Sequence, residues 1–594
     1  MKKIIFLIMI ILLFIPIYIN AEEIKEVWKN NLTGVSYENF VETTKEEIIV
    51  VGYVESQNLS EKDGLIIKYN KDGEEILKKT WGGSKYDVFK KIVLLENGEF
   101  VVTGQSESDD VEGMTDFEYG GSVIVKFDED GNVKWQKHLG NEDNDDIYDL
   151  KVTKKNEIII LYSNNDINAS GFIAKYDSNG NELWKETLYD NGTNAYIMEK
   201  IYKVELLADD SLILCGANII QKYDSAGNIL WKNEIELVQG IARLNSFKIT
   251  ENDEIIAVGE NGNREFASEG LIIKYDKNGR EIWRKTKTKE LLLSYLGIDL
   301  LNNGEYLVFG NYMTDNIRKA NALIMKFNKD NEIIWEYEFE KDDVYPIEYV
   351  TSYETLDNGL LVVARLGVGE SAIPLIMKFD KDGKLEWKKA DGHWDIYAYP
   401  LKYLKMDNGI IIYGNTYDSI PIFKYDNYGK LLWELDIDKN KNGNPTKIDI
   451  SKNNKLLVLE SERYRENGKM IYNALLGTYS FEYDIEMPSD TVKGTTTVVQ
   501  EGRKGIITPK PNKGYTIDKV SVKDAEGNEI EVTKQEDGTY TFELLKNVKV
   551  EVTYKEELTN PKTGDNILVS TIVLFISLIT SIISLIVLKK RNNN

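Results

Sequence analysis

An all-β chain built from repeated four-stranded units is the fold the sequence predicts, and three observations carry that prediction. A ten-residue pattern, Lys-aromatic-Asx-x-x-Gly-x-x-x-Trp, returns eight times, with its Lys at Lys68, Lys126, Lys175, Lys222, Lys274, Lys326, Lys378 and Lys424, 46 to 58 residues apart. The runs around each copy are short and apolar or alternating, as in Leu65-Ile66-Ile67-Lys68-Tyr69, which is strand patterning with no helical period between copies. A second turn signal, such as Asn97-Gly98 between two apolar runs, stands ahead of several copies.

The chain opens with Lys2 and Lys3, an apolar run from Ile4 to Ile19, then Asn20 and Ala21. A charged start, a short apolar stretch and a small residue predict a secretory signal peptide over 1–21, cut after Ala21.

Inside the pattern each position has a structural use. Two residues after the Lys stands Asn70, Asp128, Asp177, Asp224, Asp276, Asn328, Asp380 or Asp426, and five after it a Gly, replaced once by Asn331. An Asx side chain bonds the backbone two residues on, and Gly or Asn accepts a positive φ, so the pattern predicts a hairpin with a type I turn and a Gly bulge. Nine residues after the Lys comes Leu77, then Trp135, Trp184, Trp231, Trp283, Trp335, Trp387 and Trp433. Asp128-Glu129-Asp130-Gly131 and Asp380-Lys381-Asp382-Gly383 look like fragments of a calcium loop, but the full 12-residue loop with its closing Glu is absent. No cofactor is predicted, and calcium is the one metal these runs could take.

Further hairpins at Asn97-Gly98, Asn303-Gly304, Asn358-Gly359 and Asn408-Gly409 bring each unit to four strands. Four-stranded sheets repeated about an axis are the β-propeller solution to exposed edges. A last partial unit runs from Lys447 to about Phe481 with two strands around Ile448 to Glu460, a third over Ala474 to Tyr479, and no Trp after it. Glu26-Val27-Trp28-Lys29 resembles Leu230-Trp231-Lys232, so the N-terminal strand is expected to complete the last blade. The prediction is a propeller over 22–485 of eight to nine blades. The segment Ile173 to Trp184 resembles the repeat of pyrroloquinoline-quinone-type propellers, a family of enzymes and scaffolds. Its quinone dehydrogenases characteristically use an adjacent cysteine pair with calcium ligands; this chain has one cysteine, and the quinone is not assigned.

After the linker Glu486 to Asp490, residues 491–556 are richer in Thr, Val and Lys. They resemble divergent internalin-type B repeats, which implies a small β stalk. Next come Asn560-Pro561-Lys562-Thr563-Gly564, an apolar segment over 567–588 and a basic tail over 589–594. Twenty-two residues in a helix span about 33 Å, enough to cross a bilayer, with the basic tail kept in the cytoplasm. Motif, span and tail together resemble the cell-wall sorting signal of Gram-positive surface proteins. The resemblance implies sortase cleavage between Thr563 and Gly564, transfer of Thr563 to peptidoglycan, and membrane contact only before processing. The commonest motif of that family begins with Leu where this chain has Asn560, which leaves the sortase class open.

Charge and composition remove other classes. A net charge of -25 repels polyphosphate, so nucleic acid is not an expected partner. Cys215 alone forms no disulfide, and in Leu212-Ile213-Leu214-Cys215 it reads as a small buried hydrophobe. His138 and His393 fall in different repeats, so no His-based centre is expected. Candidate ligand positions are the acidic loop Ser106 to Gly121, with Glu107, Asp109, Asp110, Glu112, Asp116 and Glu118, joined by Glu142, Asp143, Asp145 and Asp146; solvated loop is the competing reading. His393, Trp394, Tyr397 and Tyr399 offer rings for a sugar, against ordinary packing. No catalytic residue is nominated. The expected function is a wall-anchored surface protein that binds a host protein, matrix protein or glycan. The alternatives are a wall-attached enzyme acting on polysaccharide or peptide, and a non-catalytic display protein.

Overall fold

In the computed structural model the first strand, Glu23–Thr33, finds its partner at the far end of the repeats. It pairs antiparallel with Lys469–Glu482, Leu32 opposite Ala474 and Trp28 opposite Thr478. The structure describes residues 23–557, without 56–60, 112–113, 115–119, 140–145, 165–169, 191–202, 217, 237–240, 264–266, 290–291, 302, 314–319, 339–346, 356, 367–372, 391–401, 407–408, 415–419, 438–442, 467–468, 484, 490, 502–503, 525–526 and 545–546, and with Leu578 and Ile579. The predicted signal peptide and sorting motif lie outside the described residues, as does segment 567–588 apart from helical Leu578 and Ile579. Among the described residues no helix is long and apolar enough to cross a membrane.

Two compact units divide the chain, one over Glu23–Glu482 and the other holding the described residues from Tyr483 onward. In the first, consecutive strands form antiparallel four-stranded sheets. The first sheet is Val35–Glu42, Ile48–Glu55, Lys62–Tyr69 and Glu75–Trp81; the second is Asp87–Leu94, Phe100–Ser106, Gly121–Phe127 and Val133–His138. Six more follow in order, the fifth and sixth joined by a single parallel bridge between Ser268 and Leu292. A ninth holds Gly443–Ile450, Lys455–Glu466 and Lys469–Glu482, with Glu23–Thr33 as its fourth strand. Its strands are longer than the sequence predicts, because the pairing of Lys455 through Glu466 with Ser480 back to Lys469 carries polar residues into the ladder.

The apolar runs are continuous because both faces of each sheet are covered. In Ile48-Ile49-Val50-Val51, Ile48 and Val50 pack with Leu457, Leu459 and Leu476 of the ninth sheet, while Ile49 and Val51 pack with Phe89, Phe100 and Val102 of the second. Leu360 and Val362 turn to the sixth sheet and Leu361 and Val363 to the eighth. Alternation along a strand therefore sends successive side chains to opposite neighbours. Each core is a slab shared by two sheets, and Trp433 stacked on Phe481, 5.9 Å between centroids, joins the eighth to the ninth.

The second unit has two four-stranded sheets. One orders Ile485–Glu486, Val548–Glu556, Tyr515–Asp524 and Glu529–Ile530; the other orders Gly494–Glu501, Lys504–Pro511, Tyr540–Glu543 and Val532–Lys534. Ile507, Val522, Phe542, Leu544 and Val550 are buried in it.

Candidate functional site

The ten-residue pattern folds as predicted and then does more. Asp177 Oδ1 accepts from the N–H groups of Asn179 and Asn181, both at 2.8 Å, and Gly180 lies at φ +82°. Asn331, the substitute for Gly, has φ +67°. The hairpin between the first two strands of a sheet uses the same five-residue turn, with Gly98 at +83° and Asn156 at +60°. In Asp357-Asn358-Gly359 the left-handed residue is Asn358, one place earlier than the Asn-Gly reading implies, because the turn is closed there by Thr355 and Gly359.

The Lys and the Trp are fasteners between sheets. Lys175 is buried, its Nζ 2.5 Å from Glu157 in its own sheet and 2.8 Å from the Ser225 carbonyl in the next. Lys68 with Glu47, Lys126 with Glu99, Lys274 with Glu254, Lys326 with Glu305 and Lys378 with Asp357 make corresponding ion pairs. Trp135 Nε1 donates to the Ser178 carbonyl at 3.1 Å, and Trp28 Nε1 donates to Lys71 in the same way. The rings of Trp28, Trp135, Trp184, Trp231 and Trp335 cover the turn Gly of the following sheet: a Cβ added at Gly227 would sit 2.5 Å from Trp184, and one at Gly73 2.5 Å from Trp28. A one-residue bulge beside the Trp recurs at Lys126/Phe127, at Lys175/Tyr176 and at Glu26/Trp28. The acid of each Lys–acid pair is not legible in the sequence, because it precedes its Lys by a varying number of residues.

In an antiparallel meander the turns between strands one and two and between three and four share one end of the sheet; the other connections share the opposite end. At the first end the connections are uniform, such as 43–47, 70–74, 95–99 and 128–132. At the second they run from residue 34 alone to 107–120 and 191–202. Among the described residues the ten-residue pattern lies at the uniform end; what recurs toward the variable end is a one-residue bulge of the first strand, as at Tyr37/Asn39, Phe89/Lys91 and Leu244/Ser246.

There, residues of the ninth, first and second sheets converge. Lys62 Nζ stands 4.0 Å from the ring centre of Tyr53, 5.0 Å from Tyr472 and 5.4 Å from Tyr86, within cation–π range. Tyr53 meets Tyr472 edge-on at 6.0 Å, and burial pushes its phenol up to about 12. Glu38, the extra residue of a bulge between Tyr37 and Asn39, has its carboxyl pushed up by burial against the opposing pull of Lys90, Ser36 and Lys62. Beside them Asp87 is fully buried and accepts from Gly83 N–H at 2.9 Å and Ser108 Oγ at 2.7 Å; burial raises its pKa.

Of the acidic loop, Asp110 accepts from Ser84 N–H at 2.8 Å and Asp109 pairs with Lys85 at 3.2 Å, so both hold loop to loop. Glu107 lies among the described residues, its N–H bonded to the Tyr86 carbonyl. Glu112, Asp116, Glu118, Glu142, Asp143 and Asp145 lie outside them, as do His393, Trp394, Tyr397 and Tyr399; Asp146 begins a strand. No cluster of three or more His, Cys, Asp or Glu arranged for a metal occurs among the described residues. Cys215 is buried, donates to the Leu244 carbonyl at 3.4 Å and has its thiol pushed up to about 12 by burial, as a packed hydrophobe would. The tyrosines and Lys62 were not legible as a group, since Tyr53 and Tyr472 are brought together only by the pairing of the chain's two ends.

A family model described as outer membrane protein assembly factor BamB matches residues 18–261. The repeat domain is a β-propeller. Among solved structures, the Dos1 propeller aligns at 10% identity and TM-score 0.38, covering 77% of this chain and 95% of its own. A eukaryotic initiation factor aligns at 8% and 0.40, covering 68% and 88%, and the V. cholerae biofilm matrix protein Bap1 at 12% and 0.28, covering 77% and 91%. At these values the strand order and the repeat match carry the assignment. No curated protein matches the chain.

Proposed function

We propose that the propeller is a ligand-binding scaffold displayed on the wall of a Gram-positive cell, its variable loop end facing a host protein, a matrix protein or a glycan. One observation carries this reading: recurring residues are used up in sheet-to-sheet fastening at the uniform end, while aromatic and ionisable groups gather at the end whose connections differ in length. Tyrosine faces beside a carboxyl and an ammonium suit a ligand with both apolar and polar faces, such as a sugar ring. In this proposal the nine sheets are nine blades, closed into a ring by Glu23–Thr33. The 491–556 module is a stalk of B-repeat type, and sortase joins Thr563 to peptidoglycan.

Two experiments test it. The purified chain, applied to glycan and matrix-protein arrays and assayed in parallel for hydrolysis, should retain a ligand, and Tyr53→Ala with Tyr472→Ala should lower that binding at least tenfold, about 1.4 kcal/mol. Turnover of the ligands without retention would favour the wall-attached enzyme instead. Thr563→Ala should move the protein from the peptidoglycan fraction to membrane or medium; an unchanged distribution would refute the anchoring.

A further inference from the structure

One crevice at the uniform end departs from its counterparts in charge. It lies between the second and third sheets, has a volume of about 420 Å³, and is lined by Glu99, Lys126, Lys134, Trp135, Lys155 and Asn156 with parts of the neighbouring turns. Lys126 is buried, its Nζ 2.5 Å from Glu99 Oε2 and 2.7 Å from the Ser178 carbonyl, so an ammonium with three donors meets two acceptors. Lys134 Nζ stands 3.8 Å from the other oxygen of Glu99, and Lys155 forms no ion pair among the described residues. Glu99 is the one carboxylate among the described residues of this lining, so three ammonium groups leave an excess of two positive charges on a chain of net charge -25. Asn156 Oδ1 accepts from Glu96 N–H at 2.9 Å, which leaves its amide NH2 as a further donor.

Two departures from the repeat make the excess. The residue before the recurring Trp, or before Leu77, is Ile76, Leu183, Leu230, Ile282, Ile334, Glu386 or Leu432 in the other copies, and Lys134 here. The third residue of the five-residue turn between the first two strands is Asn97, Asp209, Asn252, Asn303, Asp357 or Asn453 elsewhere, and Lys155 here. Lys45 also holds that turn position, but its Nζ is taken by Glu129 at 2.8 Å; the residue in the place of Glu129 one sheet beyond Lys155 is Ser225. We infer that this crevice binds a phosphate dianion, free or as the monoester of a sugar-sized group. The excess of two charges matches the roughly -1.5 to -2 of a phosphate monoester, and lysines bind phosphate as point charges from several directions. The volume falls in the lower part of the about 300–1,000 Å³ range of ligand pockets and is more than a bare phosphate fills, and Trp135, whose Nε1 is bonded to the Ser178 carbonyl, leaves ring carbons to wall the remainder. The negative charge of the rest of the chain repels polyanions, which restricts the ligand to a small one. The site stands apart from Tyr53 and Tyr472 and does not depend on what binds there.

Isothermal titration of the full chain with inorganic phosphate and with a hexose monophosphate, at low salt, tests the assignment. Lys134→Leu and Lys155→Asn install residues that the fold already carries at the same places as Leu183 and Asn97, so the double variant should keep the melting temperature of the native chain. The native chain should bind at least one probe with a Kd below about 1 mM. The double variant should bind it roughly tenfold more weakly, since it loses two of the three ammonium groups, and Lys45→Asn should leave the affinity unchanged. Added salt should weaken binding by the native chain. Tighter binding of the ester than of inorganic phosphate would assign the carrier to the Trp135 wall; equal affinities would assign the anion alone. No binding of either probe at about 10 mM by a chain of unaltered melting temperature would overturn the proposal. So would unchanged affinity in the double variant, or an equal loss from Lys45→Asn.

Discussion

Lys175 shows what one recurring residue contributes. Its ammonium is buried between Glu157 and the Ser225 carbonyl, so Lys175→Met strands a partly buried carboxylate and a carbonyl at once. Removing one partner of a buried pair costs about 3–5 kcal/mol, and the partial exposure of Glu157 favours the lower end, about 3 kcal/mol. Urea unfolding should show that loss, and Lys175→Met with Glu157→Gln should recover part of it; a double variant worse than the sum would contradict the pairing. Glycine gives a second test at this scale. Gly34 at φ +79° has nothing within 4 Å of an added Cβ, whereas Gly227 at φ +87° faces the Trp184 ring at 2.5 Å. Gly34→Ala carries only the backbone strain of about 1–2 kcal/mol, and Gly227→Ala should lose clearly more. Equal losses would show that the Trp-on-Gly contact yields freely. The Gly and its φ were readable from the turn pattern; the Trp covering it was not, because that Trp belongs to the preceding repeat.

At the scale of strands and turns, two groups of carboxyls respond oppositely to pH. At the uniform end burial pushes Glu99 and Glu305 up, but Lys126 and Lys326 with neighbouring Asn side chains more than reverse it, and both are held low. Asp177 and Asp224 are held low by Asn181 and Asn228 and by turn N–H groups. Such groups stabilise the fold above their unfolded pKa, near 4, and the contribution is lost as pH falls through the lower folded values. At the variable end Glu38, Asp63, Asp87 and Glu260 are pushed up by burial. Folding then favours their protonated form, so their contribution is full below the unfolded pKa and declines as pH rises through the raised one. Melting temperature should pass through a maximum at mildly acidic pH, and Asp87→Asn should flatten the fall on the neutral side. A melting temperature climbing steadily to pH 8 would contradict the raised values.

Over the whole propeller, stability is distributed among interfaces between neighbouring sheets, and the junction that chain connectivity does not enforce is the pairing of Glu23–Thr33 with Lys469–Glu482, which brings the ninth sheet against the first. Tyr37 N–H donates to Ser461 Oγ at 2.7 Å, Ser461 Oγ donates to the Tyr37 carbonyl at 2.6 Å, and Lys447 Nζ donates to the Phe40 carbonyl at 2.8 Å. Deleting residues 23–33 removes Trp28 and leaves Lys469–Glu482 with an open edge. Hydrogen exchange should then rise first in the ninth and first sheets, and a synthetic 23–33 peptide should restore protection. Uniform exchange across all the sheets, or no change at all, would argue against a special role for the N-terminal strand.

The sequence by itself determined the local chemistry: Asx and Gly at fixed offsets dictate the turns, alternation and apolar runs dictate the strands, and the displaced Trp28 pointed to the pairing of the chain's ends. These are short-range effects, written within about ten residues of each other. Only the tertiary structure decided what the Lys and Trp hold, which alternate side chains face which neighbouring sheet, and that Tyr53, Lys62, Tyr86 and Tyr472 meet. Those contacts join residues tens to hundreds of positions apart, and their geometry depends on how one sheet packs on the next, a quantity that no pattern along a single strand contains.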